Sequence, residues 1–266
     1  SRITKIPFLR GIFNFIDSLR LGMKCINHSA QFYEDGEAEE TKLDKALDKI
    51  SGGRGEKILM GFTTVLSIVL AVAVFILLPY YLSTLLNGFI RNDSLLAIIE
   101  GVIRIVIFLL YIVAISLMKD IHRLYQYHGA EHKTINCFEA GDPLTPENVK
   151  KHSRYHKRCG TSFLVVVMII SIIVFMFINV KSMWLRLLSR VLLVPIIAGI
   201  SYEFIMFAGR SDSKLANILS VPGMWVQRLT TKEPDLEMCE VAIRSVEAVI
   251  DWRAYQDAMK RGEIED

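Results

Sequence analysis

Net charge of either sign is nearly missing from this chain. Its 31 Lys and Arg against 28 Asp and Glu leave only +3, so no electrostatic footprint for nucleic acid follows. Cysteine is scarce, with 4 residues among 266, which argues against a disulfide framework. Internal repeats and low-complexity tracts are absent, which removes solenoid architectures. Long uncharged runs are plentiful. The chain is 52% apolar with a mean hydropathy of +0.36, too apolar for an ordinary soluble domain.

A bilayer-spanning helix needs about 20 apolar residues, and four runs qualify: residues 58–78, 95–118, 163–180 and about 191–208. The first begins too late and runs too long for a signal peptide. The expected fold is therefore an all-α polytopic membrane protein. It divides into an interfacial helical segment (1–56), two spans (57–118), a polar histidine-bearing helical hairpin (119–162), two more spans (163–208) and a helical tail (209–266). The loop 119–162 holds Lys119, Arg123, Lys133, Lys150, Lys151, Arg154, Lys157 and Arg158, whereas the loops on the other side offer Arg91 and then Lys181, Arg186 and Arg190. By the positive-inside rule the histidine loop and both termini face the cytoplasm. Cys25, Cys137, Cys159 and Cys239 all fall on that reducing side.

Residues 4–26 carry apolar side chains at helical spacing with Arg10, Arg20 and Lys24 between them. They read either as a helix on the inner leaflet or as one packed on the protein's own polar part. A charged helix is expected over 34–50, then a flexible joint at Ser51-Gly52-Gly53-Arg54-Gly55. The helical pattern of the second span continues without Pro to Glu139, predicting one helix over 95–140, about 70 Å long. Gly141-Asp142-Pro143 turns the chain, and Thr145-Pro146-Glu147 opens a second arm running toward Arg158. In the tail, a short helix at 215–219 is expected to stop at Pro222-Gly223, and 235–255 reads as one amphipathic helix.

Five of the six histidines lie between residues 122 and 156. His128-Gly129-Ala130-Glu131-His132 matches H-x-x-E-H, in which two imidazoles one turn apart hold a metal beside a carboxylate. Zinc brings the pKa of its water to about 7, and Glu131 would take the proton. His156 and Cys159 on the next arm are the further candidate ligands, imidazole plus thiolate suiting zinc or another divalent transition metal. Four protein ligands would make a closed structural site, whereas three leave a position open for catalysis. Glu139, about 10 Å further along the helix, and Glu203, near the end of the fourth run, are the additional carboxylates. His152 is expected to face solvent. The same basic loop would also attract anionic lipid, by about 1 kcal/mol per Lys or Arg. Glu100 and Arg104, spaced i,i+4, pair either inside the second span or in its outer interface.

Tyr127-His128-Gly129-Ala130-Glu131-His132-Lys133, Glu139-Ala140-Gly141, Arg158-Cys159-Gly160-Thr161-Ser162-Phe163, Tyr202-Glu203 and Gln227-Arg228-Leu229-Thr230-Thr231-Lys232-Glu233-Pro234 together resemble the YqhQ family of bacterial membrane proteins. The resemblance implies a multi-pass protein of the bacterial plasma membrane, described as a metal-dependent enzyme of unknown substrate, and it points to His128, Glu131, His132, His156, Cys159 and Glu203. Members of that family begin with a glycine-rich segment resembling G-G-Q-A-V-I-E-G-V-M-M-R. This chain starts after it, so an N-terminally shortened sequence is expected. Family members often carry Pro after the histidine matching His156, where Lys157 stands here. Three functions follow from these readings. The first is a zinc-dependent hydrolase at the cytoplasmic membrane face, acting on a membrane peptide, a lipid-linked compound or a modified head group. The second is a non-enzymatic scaffold or adaptor, with a His/Cys site stapling a surface that docks a protein partner. A transporter lined by Glu100, Arg104 and Glu203 is the third, disfavoured because paired broken spans are lacking.

Overall fold

The computed structural model describes residues 9–30, 32, 55–86, 88–90, 92–178, 183–211, 213–261 and 263. The expected helix at 34–50 and the glycine joint before Gly55 lie outside them. Every regular element among the described residues is helical. In chain order these are α1 (Leu9–Ala30), α2 (Gly55–Val72), a π-turn (Ala73–Leu77), α3 (Leu78–Thr84), α4 (Asp93–Ser116), α5 (Lys119–Glu139), α6 (Pro146–Lys151), α7 (Gly160–Met176), α8 (Met183–Arg210), α9 (Lys214–Thr230), α10 (Leu236–Glu247) and α11 (Trp252–Lys260). Three stretches are long and apolar enough to cross a membrane, namely Gly61–Thr84, Asp93–Ser116 and Leu188–Gly209. The third expected span is α7, whose 17 residues rise only about 26 Å against a hydrocarbon core of about 30 Å. Apolar helices of this kind are compatible with a membrane protein. The chain divides into two compact units, residues 1–107 with 170–202 and residues 108–169 with 203–266.

In the first unit, α1 packs its opening turns on α8, where Asn14 Nδ2 donates to the Tyr202 hydroxyl at 2.7 Å. It leaves Ile16, Leu19, Met23 and Ile26 exposed. The π-turn has a local cause. Pro79 lacks the N–H that would reach the Phe75 carbonyl four residues back, and Arg104 Nε fills that vacancy at 3.0 Å. Arg104 Nη2 also bonds Glu100 at 2.8 Å. Glu100 is buried and accepts two further bonds from Arg190. Glu100 and Arg104 therefore pair on α4, within a stretch long and apolar enough to cross a membrane. The same contacts correct the reading of Arg190, counted above with a loop but buried inside α8. A burial that costly is tolerable because the carboxylate is bracketed by two guanidinium groups.

The second unit carries the polar elements. Its core joins Cys137, Leu144, Val149, Cys239, Ile243 and Trp252. A second cluster of Ile112, Val165 and Val226 ties α4, α7 and α9. Four boundaries differ from expectation. The single helix over 95–140 breaks at Leu117–Met118, where the final turn tightens into three-residue bonds, Leu117 N–H to Ala114 O and Met118 N–H to Ile115 O, and Met118 turns extended. The second arm stops at Lys151 instead of continuing to Arg158. Its following carbonyls are taken by side chains from α5: Lys133 Nζ bonds Lys150 O at 2.9 Å and His152 O at 2.7 Å, and Asn136 Nδ2 bonds Ser153 O and Tyr155 O. The histidine hairpin therefore has one helical arm and a second arm in which a short helix gives way to irregular chain. Pro222 does not end its helix. α9 runs through it because Ala216, Ser220, Val226, Gln227 and Thr230 form one buried face, and that packing outweighs a proline cost of about 3 kcal/mol. The tail helix divides at 248–251, where Asp251 caps α11. The start of the second arm is as expected: Gly141 adopts a left-handed φ of 76°, and the Thr145 hydroxyl accepts the Asn148 N–H ahead of Pro146.

Candidate metal centre

His128 and His132 sit one turn apart on α5 with ring centroids 4.4 Å apart. What fixes them is a carbonyl behind each ring. His128 Nδ1 lies 2.9 Å from Thr230 O, and His132 Nδ1 lies 2.7 Å from Arg154 O. A carbonyl can only accept, so each Nδ1 carries a hydrogen and each Nε2 is the nitrogen left to take a proton or a metal. This is the arrangement of metal-ligating histidines, whose outer nitrogen is held by a second acceptor.

Both rings turn toward Cys159, whose Sγ is 3.2 Å from His128 Nε2. Cys159 precedes the first turn of α7, where the Thr161 N–H points at Sγ at 3.4 Å and the Thr161 hydroxyl lies 3.2 Å away. A helix N-terminus favours a thiolate. Burial works to raise the Cys159 pKa, but hydrogen bonds with His128, His132 and Thr161 outweigh it and bring it down to about 5. For His128, burial works downward, and the bond to Cys159 with the Thr230 carbonyl more than reverses it, so its pKa is raised. The other buried thiols behave oppositely. Burial pushes Cys137 up to about 11 and Cys239 upward too, as for inert core cysteines.

Two imidazole lone pairs and a thiolate facing one another need a proton or a cation among them. One nitrogen from each histidine and the Cys159 sulfur lie within 4.8 Å of one another; a tetrahedral zinc with bonds of 2.0–2.3 Å would draw them to about 3.5 Å. The group could therefore hold a metal ion, and it brings together three of the four residues expected from sequence as ligands.

The remaining candidates are placed as follows. His156 is adjacent, its ring 5.9 Å from that of His132, but both nitrogens are engaged. Nδ1 accepts the Arg158 N–H at 3.3 Å, so Nε2 donates to Glu139 at 3.2 Å. Glu139 is held low chiefly by that His156 bond, with Arg158 adding to it. It thus reaches the site through His156 and not by sharing the metal group. Glu131 is exposed and lines the cleft in front of His128 and His132. Glu203 is half-buried on α8 and is not among the residues lining that cleft. His152 pairs with Asp142 at 2.9 Å.

Several supports were not foreseen. A Cβ on Gly129 would lie 2.0 Å from Lys232 O. Only glycine lets the 230–232 segment lie on α5, where the Lys232 N–H bonds Tyr125 O at 2.8 Å and the Thr230 carbonyl meets His128. Gln227 is fully buried and grips His156 by its backbone, accepting its N–H at 2.9 Å and donating to its carbonyl at 2.7 Å and to the Ser162 hydroxyl at 2.8 Å. The signals were visible as the lone glycine inside H-G-A-E-H and as a glutamine on an apolar face. Neither declares its partner without tertiary contacts.

Comparison with known proteins agrees with the extent of the resemblance. A relative from Bacillus subtilis (strain 168), described as "Uncharacterized protein YqhQ", is 36% identical over 256 residues, covering 96% of this chain and 80% of that one. No solved structure matches. The family model for a protein of unknown function, DUF1385, matches residues 6–252, and the chain belongs to that family.

Proposed function

We propose that this protein is a zinc-dependent, or more broadly divalent-metal-dependent, hydrolase of the bacterial plasma membrane, working at the cytoplasmic face. The observation that carries the reading is the pair of backbone carbonyls, Thr230 O and Arg154 O, which turn both imidazole lone pairs toward a thiolate. A metal held there supplies a Lewis acid that polarises a carbonyl and acidifies water. His128, His132 and Cys159 would hold it, and a shell of three protein ligands is the open, catalytic type. The closed scaffold reading needs His156 as a fourth ligand, and that ring is already engaged by Arg158 and Glu139. Glu131 stands in the cleft as the base that takes a proton from water. His156 keeps its Nε2 hydrogen against Glu139 and presents a polar wall beside the ligands.

The test is metal content combined with complementation. Purified wild-type protein is expected to carry about one metal ion per chain. Cys159→Ser and His132→Ala variants are expected to lose it, and Glu131→Gln to keep it yet fail to restore a deletion strain. A Glu131→Gln protein that retains metal and fully complements removes the hydrolase reading.

A further inference from the structure

The cleft at the candidate metal centre continues past its ligands. Its volume is about 710 Å3, within the range of small-molecule sites. It runs on into a second trough of about 490 Å3, and the two share Glu131, Ile135, Val246 and Ile250. Glu131 thus stands where the polar end meets the apolar one. Along the trough Val241 on α10 and Val249 in the turn that follows it are 49% and 82% exposed. These are aliphatic side chains where a solvated helix face would carry charge.

Two of the trough's four polar side chains are spent on their own helices, Tyr127 and Glu131 being the other two. Ser245 Oγ donates to Val241 O at 2.9 Å, and Thr134 Oγ1 donates to Ala130 O at 2.8 Å. Both hydroxyls are turned back onto their own helices. The walls are helical, so their backbone groups are paired internally, and beyond α10 the Val249 and Ile250 N–H groups both bond Val246 O. A peptide laid here would bury amides without partners, at a cost. A hydrocarbon chain brings no amide that needs a partner. From Val241 to Glu247 the helix rises about 9 Å, at 1.5 Å per residue, and Val249 and Ile250 carry the trough past its end, room for an acyl chain of medium length.

We propose that this trough receives the hydrocarbon chain of an acyl ester or amide whose carbonyl lies at the His128–His132–Cys159 group, an inference that rests on the hydrolase reading above. Hydrolysis would form a bond from water oxygen to the acyl carbon and break the bond from that carbon to the leaving oxygen or nitrogen. One water proton goes to the leaving group and the other to solvent, releasing a fatty acid.

The experiment uses the full chain in lipid nanodiscs loaded with Co²⁺, titrated with straight-chain hydroxamates from acetyl to dodecanoyl. The readout is the visible Co²⁺ spectrum. Acetohydroxamate is expected to perturb the spectrum, and affinity to rise about fourfold per added methylene until the trough is filled, then to level off. Ala242→Trp and Val249→Glu are expected to weaken the decanoyl probe at least tenfold and leave acetohydroxamate unchanged. Equal affinity along the series, or two trough variants without effect, overturns the acyl trough while the metal centre stands. A Leu-Leu hydroxamate that binds more tightly than alkyl probes of the same length, and is lost in the same variants, overturns it in favour of a peptide. Failure of the protein to take up Co²⁺ or to respond to acetohydroxamate removes the metal-dependent reading and the trough proposal with it.

Discussion

Replacing Gly129 with Ala gives a sharp test because its two expected effects have opposite signs. In an ordinary helix the change stabilises by up to about 1 kcal/mol. Here the new Cβ would lie 2.0 Å from the Lys232 carbonyl oxygen, and ordinary contact begins at 3.4 Å, so the 230–232 backbone must retreat by about 1.4 Å, the difference between these two distances. That segment is held by the Lys232 N–H to Tyr125 O and supplies the Thr230 carbonyl that orients His128. A 2.9 Å hydrogen bond does not survive a shift of that size. Losing an outer-shell partner costs about 10–100-fold in metal affinity, or roughly 1.4–2.7 kcal/mol. Overpacking would lower metal-free stability by a further 1–3 kcal/mol or so. Competition against a chromophoric chelator reads the first quantity, and thermal unfolding of the metal-free protein reads the second. A Gly129→Ala protein with wild-type affinity and a raised melting temperature would refute the reasoning that places Thr230 behind His128.

Other outcomes follow from the same geometry. In metal-free protein, Cys159 is expected to react with iodoacetamide at pH 6 well ahead of Cys137 and Cys239. The sign follows from the thiolate: with a pKa brought down to about 5 the reactive form persists until pH falls through that value, whereas burial keeps Cys137 protonated up to about 11. Mass spectrometry of the alkylated peptides checks it, and bound metal should protect Cys159. Because the folded pKa lies below the ordinary 9.0, this thiolate stabilises the fold fully above pH 9 and loses that contribution as pH drops toward 5. Glu100→Gln leaves Arg104 and Arg190 without their buried carboxylate and is expected to cost about 3–5 kcal/mol, seen as a large fall in detergent-solubilised melting temperature without loss of metal. Gln227→Leu removes three hydrogen bonds around His156 and Ser162. It should destabilise by about 2–4 kcal/mol, measured by chemical unfolding, and free His156 from its present position.

The helices and the facing of His128 and His132 were legible because both are written in local spacing. The apolar runs mark α2 to α4 and α8 by length alone, and His128 and His132 share a face at i,i+4. Boundaries were less legible where tertiary contacts decide them. Lys133 and Asn136 capture carbonyls that would otherwise prolong α6, and the buried face of α9 carries the helix through Pro222. Arg190 looked like a loop cation because its partner Glu100 is 90 residues away in sequence. His156 and Cys159 looked alike as ligands. The structure separates them through a neighbouring N–H and a carboxylate for the first and a helix N-terminus for the second, none of which spacing reveals.

The most direct measurement is a zinc X-ray absorption spectrum of the purified, metal-loaded protein. The account predicts one sulfur scatterer from Cys159, two imidazoles and one further light atom in the first shell. A four-imidazole shell, a shell with no sulfur, or a spectrum unchanged in His128→Ala would contradict it.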